Sequence, residues 1–384
     1  MIVAETLPVG PVGTSIVLRR LLENFRDDEV VLIARHPPAR YRRESRSLRH
    51  PYVAIPALPA GIRGERYWRL GSAVTGVAVG LAAIRRHRPA ALLAVFPYEH
   101  ALLTGYWLHR LTGLPLMAYL CDLYGEDRDH GWEGYLARWL QPRVFRDAAR
   151  VLAANQGMVD YYRARYGLDV VALPACINVP IPEPIPLPLP GNRFVVGYSG
   201  NVNSTRLDSL LALVQAIGGD PAFEIRYLTP QTPDVLRAYG VWAENATASF
   251  VADEKELVRR LAACDALFLP LTFDPKENSR DQLATCFGIK SYEYFLSQRP
   301  ILLHCPADYF IARYFRERGC GMVVSDPGPA ALRSALENLR SEVPLRASFA
   351  LNGLRAAHEF EGRRIAAVLR GVLREVSAAG KAPR

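Results

Sequence analysis

The 384-residue sequence has no apolar run of the length that crosses a bilayer. Its longest such stretch, Gly71 to Ile84, falls short of the roughly 20 residues a spanning helix needs, and it runs into Arg85-Arg86-His87-Arg88. A basic n-region is also missing: Met1-Ile-Val-Ala reads as a strand, so no signal peptide is expected. The six cysteines are scattered and form no Cys-x-x-Cys pair, which excludes a disulfide framework and a Cys-rich zinc site. They imply reduced thiols in a cytosol, and the expected location is cytoplasmic. No Walker loop, His-Glu-x-x-His or Gly-x-Ser-x-Gly occurs, which removes the commonest nucleotidase, metalloprotease and esterase readings. Lysine is scarce as well, at 4 residues against 43 arginines.

What is present is material for sizeable cores: 50% of residues are hydrophobic and only 22% charged, which excludes a disordered chain. The length points to two domains. The net charge of +9 is uneven: residues 1–110 hold 16 arginines and 8 acidic residues, whereas the rest of the chain is almost neutral. Such an excess attracts anions, be they membrane headgroups, phosphorylated ligands or nucleic acid. A general preference for arginine over lysine explains the residue type but not the asymmetry.

Short β-rich runs alternate with helical patterns almost from end to end, which predicts parallel sheets covered on both faces. In the first part the strands fall at Met1–Ala4, Glu29–Ala34, Ala91–Phe96, Leu116–Leu120, Arg150–Ala153 and Val170–Leu173. Helices are predicted at Thr14–Phe25, Arg66–Arg86, Trp132–Asp147 and Gln156–Tyr166. Seven prolines between Pro174 and Pro190 then form an extended, semi-rigid connector. The alternation restarts with strand Arg193–Tyr198, helix Ser204–Ile217, strand Phe223–Leu228 and further pairs to helix Ala330–Leu339. The fold class is therefore α/β, with two Rossmann-like domains: residues 1–178, a linker over 179–191, and residues 192–352. A last helix, about Gly353 to Val376, carries Ile365, Val368, Leu369, Val372 and Leu373 at helical spacing, and residues 353–384 are expected to return to the first domain.

Open parallel sheets bind ligands at the carboxyl ends of their strands, and with two such domains the working cleft is expected between them. The first strand-end loop, Glu5 to Thr14, carries Gly10 and Gly13 and ends on Thr14, which suits a helix cap. It is not the dinucleotide fingerprint. The second domain opens with Tyr198-Ser-Gly200-Asn201, followed by Arg206 at the start of a helix, where amides and a guanidinium suit an anion. Ser204 or Asn203 as an ordinary cap is compatible with the same residues. In Gly288-Ile-Lys290-Ser-Tyr-Glu293, Lys290 and Glu293 lie three apart on one helical face. Lys290 suits a phosphate and Glu293 a ribose diol. An ordinary surface Lys–Glu pair is the competing reading.

These motifs resemble those of the retaining glycosyltransferases of the GT-B fold, especially bacterial polysaccharide and glycolipid enzymes (glycosyl transferase group 1-like). Such enzymes show a glycine-bearing first loop, a Tyr-x-Gly-Asn second-domain start and a Pro-x-Lys-x-x-Glu-Tyr-Leu-Ala-x-Gly-Lys-Pro stretch. Gly288-Ile-Lys290-Ser-Tyr-Glu293-Tyr-Phe-Leu-Ser-Gln-Arg299-Pro300 looks like the last. The resemblance implies a nucleotide-diphosphate sugar as donor and transfer to an acceptor hydroxyl with retention, in cell-surface glycan, glycolipid or glycoconjugate synthesis. Glu293 would bind the ribose, and Lys290 and Arg206 the diphosphate, beside Gly200, Asn201 and Gly288. Asp122 and His100, at first-domain strand ends, would face the acceptor and the transferred sugar. Gly10, Gly13 and Thr14 would form the acceptor-side loop. No obligatory cofactor or metal and no nucleic acid partner is implied. The acceptor would be a glycan, a lipid-linked molecule or a small molecule.

The Glu-x7-Glu pair of many such enzymes is incomplete, because Thr285 stands eight before Glu293. Asp274, Glu277 and Asp281 are nearby substitutes. Two alternatives stay open: a nucleotide-sugar epimerase of the same architecture, and a non-catalytic sugar-nucleotide-binding partner subunit. Asp127-Arg-Asp129 is an Asp-x-Asp match of the kind that holds a divalent metal in single-domain enzymes. Finally, Arg40, Arg42, Arg43, Arg46 and Arg49, with Arg63–Arg69 around Tyr67 and Trp68, predict a peripheral docking surface for anionic membrane.

Overall fold

The computed structural model describes residues 1–10, 13–36, 41–45, 48–56, 65–125, 131–189, 191–275 and 279–379, apart from the side chains at 42, 44, 65–70, 132 and 379. Two compact units divide the chain: Met1–Asn178 with Glu361–Arg384, and Val179–Phe360. In the first unit the order is β1 (Ile2–Thr6), α1 (Gly13–Leu22), β2 (Leu32–Arg35), α2 (Arg42–Ser45), β3 (Tyr52–Ile55), α3 (Glu65–His87) and β4 (Leu92–Phe96). It continues through α4 (Glu99–Thr112), β5 (Leu116–Leu120), α5 (Gly131–Asp147), β6 (Arg150–Ala153), α6 (Gln156–Tyr166) and β7 (Val170–Ala172). The second unit begins with β8 (Phe194–Ser199), α7 (Leu207–Ile217), β9 (Phe223–Leu228), α8 (Pro233–Ala238), β10 (Ala246–Ser249), α9 (Glu254–Leu261) and β11 (Ala266–Pro270). There follow α10 (Arg280–Thr285), α11 (Lys290–Leu296), β12 (Ile301–His304), α12 (Phe310–Arg318), β13 (Met322–Val324), α13 (Pro329–Ser341) and α14 (Val343–Ala357). After one 3₁₀ turn, α15 (Gly362–Ala379) returns to the first unit.

Both sheets are parallel and share one topology. The first has the order β3-β2-β1-β4-β5-β6-β7, the second β10-β9-β8-β11-β12-β13. Each therefore reverses direction once, between β1 and β4 and between β8 and β11, and those are the crevices where such sheets take ligands. Central strands are buried on both faces, so β4 (LLAVF), β5 (LMAYL) and β12 (ILLH) are apolar runs without alternation. The edge strand β10 (ATAS) exposes Thr247 and Ser249. Right-handed crossovers place α3 to α6 on one face of the first sheet and α1 on the other. The first core lies under α4 to α6, where Leu92, Phe96, Leu120, Leu140 and Tyr162 are all fully buried. In the second unit Phe194, Val196, Leu213, Phe223 and Leu336 fill the space beneath α7 and α13. Each such side chain contributes about 1.5–3 kcal/mol by leaving water.

Three placements differ from the sequence reading. Helix α4 occupies a stretch given no element in the sequence reading, because Tyr98 at its N-cap makes no side-chain cap bond and so gives no start signal. The helix read as continuous from residue 353 to 376 is broken. Residues 353–360 end in the second unit, where the Phe360 ring lies 4.7 Å from Tyr292 and 5.6 Å from Phe287. One residue on, Glu361 bridges to Ile177 of the first unit, and α15 packs against α1. Arg370 fixes that packing: its guanidinium stacks 4.4 Å from the Phe25 ring and donates to the Asn24 carbonyl at 2.8 Å and the Glu29 carboxylate at 3.1 Å. Residues 179–191, read as a semi-rigid linker between the domains, group with the second unit. The Gln298 amide holds them by accepting from Ile185 N–H at 2.9 Å and donating to the Glu183 carbonyl at 3.1 Å.

The apolar stretch Gly71–Ile84 proves to be a helix-packing surface. A Cβ on Gly80 would lie 2.6 Å from Leu108 Cδ1, so α3 and α4 approach closely only because the residue is glycine. Gly371 in α15 has nothing within 4 Å of its would-be Cβ. Two opposite outcomes are expected in urea melts. Gly80→Val destabilises the chain by about 1–3 kcal/mol through overpacking, and Gly371→Ala stabilises it by up to about 1 kcal/mol through helix propensity.

Candidate functional site

The crevice between β8 and β11 gathers most of the chemistry. Pairing of the two strands is confined to Val196 with Ala266 and Gly197 with Leu267. Beyond it the Tyr294 hydroxyl takes the place of the ladder, accepting from Ser199 N–H at 2.9 Å and donating to the Phe268 carbonyl at 3.2 Å. The chain leaves β8 at Gly200 with φ of 95°, a left-handed conformation that favours glycine. A Cβ there would coincide with the end of the Lys290 side chain, so the lysine lies directly on the Gly200 backbone.

Lys290 opens α11, and its Nζ donates to the Tyr198 hydroxyl at 3.4 Å while sitting 4.8 Å from the ring centroid. The same hydroxyl donates to the Asn201 carbonyl at 2.6 Å, which ties the loop to the lysine. The Arg206 guanidinium, at the N-cap of α7, donates to Asn203 Oδ1 at 3.0 Å and Thr205 Oγ1 at 2.9 Å. Burial holds the Lys290 pKa well below the usual lysine value, the Arg206 charge lowers it further, and Glu293 opposes the shift. Glu293 is buried one turn along α11. Two cations and a carboxylate thus share one sheltered corner beside open loop amides, an arrangement that suits a dianionic group.

The β11 loop closes on the same corner. Asp208 Oδ2 accepts from Phe273 N–H at 2.7 Å and Thr272 Oγ1 at 2.9 Å, and Thr272 N–H donates to the Thr205 carbonyl at 2.8 Å. On the other side Gln231 accepts from Val202 N–H at 2.6 Å and donates to its carbonyl at 2.9 Å. The sequence reading missed Tyr198, Tyr294, Asp208 and Gln231 as positioning groups. Only the two tyrosines had a signal, since both lie inside motifs already singled out.

Among the other expected residues, Gly288 precedes α11 with no atom within 4 Å of a would-be Cβ. Thr285 turns its hydroxyl back on its own helix, donating to the carbonyls of Asp281 at 2.9 Å and Gln282 at 3.2 Å. Asp274 donates its N–H to Thr272 Oγ1 at 3.0 Å, while Glu277 lies outside the described residues. In the first unit Thr14 lines a small hollow at the β1–β4 crevice with Glu5, Thr6, Pro97 and Tyr98. Gly10 has φ of 79°, and its would-be Cβ lies 3.0 Å from the Tyr41 ring; Gly13 is the first residue of α1. His100 is not in a loop: it lies in the first turn of α4, 2% exposed, with its carbonyl accepting from Thr104 Oγ1 at 2.7 Å. Asp122 is half-buried just after β5; its charge adds to the burial that pushes the Cys121 thiol up.

Asp127 and Asp129 lie outside the described residues, as do Arg40, Arg46 and Arg63; the side chains of Arg42, Arg66, Tyr67, Trp68 and Arg69 do too. Among the described residues no cluster of three or more His, Cys, Asp and Glu could hold a metal, and no helix is long and apolar enough to cross a membrane. A cavity of about 660 Å³ opens at the opposite, amino edge of the first sheet, between Phe25, Met117 and Leu373. The carboxyl edge carries the switch points and the paired cations, and we place the site there.

Residues 12–175 match the model of the glycosyl transferase 4-like domain. The chain has the GT-B fold. Sucrose-phosphate synthase from Thermosynechococcus elongatus is similar in structure, with a TM-score of 0.71 at 15% identity over 98% of this chain and 99% of the other. HepE of Anabaena, solved in complex with UDP-glucose, gives 0.68 at 17% identity, covering 95% and 97%. A glycosyltransferase of Rickettsia africae gives 0.69 at 10% identity, covering 98% of each chain. At these identities the structures speak for the fold alone, and the domain match speaks for residues 12–175. No curated protein shows significant sequence similarity to the chain.

The depressed Lys290 pKa fixes the sign of a pH effect on anion binding. A phosphate beside the amine favours its charged form, so anion binding weakens as pH rises through the amine's titration. Calorimetry with inorganic pyrophosphate over a pH series is expected to show affinity falling more steeply with rising pH in the wild type than in Lys290→Met.

Proposed function

We propose that the chain moves a sugar from a nucleotide-diphosphate donor to an acceptor hydroxyl with retention, in the synthesis of a cell-surface glycan, glycolipid or glycoconjugate. One observation carries the reading: Lys290, packed on the Gly200 backbone, meets the charge of Arg206 next to buried Glu293. In this reading the diphosphate lies against Gly200, Asn201 and Gly288 and is held by Lys290 and Arg206. Glu293 accepts from the ribose hydroxyls. As the bond to the sugar breaks, negative charge grows on the leaving diphosphate, and the two fixed cations stabilise it without reorganising. The remaining work is positioning, so no strong general base is required. The UDP-glucose in complex with HepE is of the same chemical class as the donor proposed here.

The acceptor side is assigned to the first unit, with Gly10, Gly13 and Thr14 at its switch point and Asp122 and His100 at the next strand ends. His100 is sheltered, so its contribution is to shape the loop edge and approach the sugar only from within α4. Thr285 supplies no carboxylate to the sugar, and its hydroxyl is already engaged. Sugar selection then rests on neighbouring groups, of which Asp274 and Asp281 are described.

Thermal shift against UDP-, GDP-, TDP- and ADP-sugars, followed by a turnover assay on the donor that binds, tests the reading. Released nucleotide with glycosylated acceptor supports it; epimerised donor, or binding without turnover, replaces it with another activity. Lys290→Ala is expected to lower kcat about 10²–10³-fold, the size of effect seen when one fixed donor to a developing anion is removed. Glu293→Ala is expected to weaken donor binding by about 1.5–3 kcal/mol in calorimetry. Thr285→Ala should change donor KM by less than about threefold, because the lost hydroxyl bonds only its own helix.

A further inference from the structure

The helical layer over the first sheet leaves an aromatic face in water. On α4, Trp107 is 43% exposed and Leu111 59%; on α5, Tyr135 is 75% exposed and Trp139 37%. Residues 107, 110 and 111 fall on one stripe of α4, and residues 135, 138, 139, 143 and 146 on one stripe of α5. The two helices are packed neighbours, and buried Tyr106 joins the stripes with its ring 5.9 Å from Trp107 and 6.2 Å from Trp139. Large apolar groups gathered in this way on a surface mark a site of contact.

Arginines are interleaved with these rings. The Arg138 guanidinium lies 5.0 Å from the Tyr135 centroid and that of Arg143 4.5 Å from Trp139. Arg143 also donates to the Trp139 carbonyl at 2.6 Å, which fixes ring and cation together. Arg110 and Arg146 flank Asp147 at 3.6 and 2.7 Å, and Arg146 holds its carboxyl below the usual range. Among the described residues of these stripes, Arg110, Arg138, Arg143 and Arg146 are accompanied by one acidic residue, Asp147. The excess of guanidiniums over carboxylates on this face calls for an anionic partner surface. Here the guanidiniums sit among the rings, as suits a layer where phosphates reach between aromatic side chains. Tryptophan, tyrosine and arginine are the residues of that headgroup layer.

We propose that the α4–α5 face docks the chain on an anionic lipid bilayer. The proposal rests on the first unit alone and is independent of the donor site. It places the contact on helices distinct from the arginine runs at 40–49 and 63–69.

Sedimentation of the full chain with vesicles tests it, using phosphatidylcholine alone or equal parts phosphatidylcholine and phosphatidylglycerol, while tryptophan emission is followed. The chain is expected to sediment with the mixed vesicles at low salt, with a blue shift, and to be released as salt shortens the screening length. Trp107→Ser with Trp139→Ser, and separately Arg110→Gln with Arg138→Gln and Arg146→Gln, should each weaken binding at least tenfold, roughly the effect of removing a few surface contacts. Tyr135→Ser, the most exposed single change, should weaken it measurably with the circular dichroism spectrum unchanged. Absence of sedimentation with mixed vesicles overturns the proposal. Wild-type binding in the variants, or an aromatic variant that only dissociates an oligomer, overturns it as well.

Discussion

The structure of the second unit turns on one close approach: an amine laid on a peptide backbone. Lys290 can lie against Gly200 only because no side chain grows from that Cα, and Gly200 sits at φ of 95° because β8 must turn sharply there. Much else follows from that contact. Tyr198 is fully buried and offers its ring and hydroxyl to the amine; Tyr294 holds the strand ends apart; Arg206 brings a second positive charge toward the first. Burial and the neighbouring guanidinium make the charged amine unfavourable without an anion, so the site is built at the expense of the empty state.

Around that corner the sheet order does the positioning. The same 3-2-1-4 arrangement occurs in both units, and both therefore present a crevice at the first and fourth strands of their own sheet. The contents differ. The second crevice holds the charged groups, whereas the first is lined by Glu5, Thr6, Thr14 and Tyr98, which suit hydroxyl recognition more than phosphate. In the proposed reading, the division of labour between donor and acceptor comes from side chains grafted onto one repeated scaffold. Helices on the outer layers are free for other work, as the arginine-interleaved aromatic face of α4 and α5 illustrates.

Much of this was legible in the residues. Fully buried strands such as β4, β5, β11 and β12 are continuous apolar runs, and β4 and β5 were read close to their observed bounds. Gly200, Arg206, Lys290 and Glu293 stood out by motif and by the rarity of lysine. What escaped was structure without local punctuation: α4 lacks a capping side chain, β3 and β10 are short edge strands, and α8 and α10 have only six residues each. The break between α14 and α15 has no proline or cap to announce it. It is set by Phe360 seating among Phe287, Tyr292 and Phe295, a long-range contact that no local pattern encodes. Asp208 and Gln231 were illegible for the same reason, since their partners lie far away in the sequence.

The account stands or falls on whether the Gly200–Lys290 contact is what recognises a diphosphate. The direct measurement is calorimetric affinity for a nucleoside diphosphate and for the bare nucleoside, in wild type and in Gly200→Ala. A methyl group at residue 200 must displace the Lys290 ammonium. The account predicts that Gly200→Ala loses most of the advantage of the diphosphate over the nucleoside, about 10-fold or more, while the fold persists. An unchanged ratio of the two affinities would contradict it.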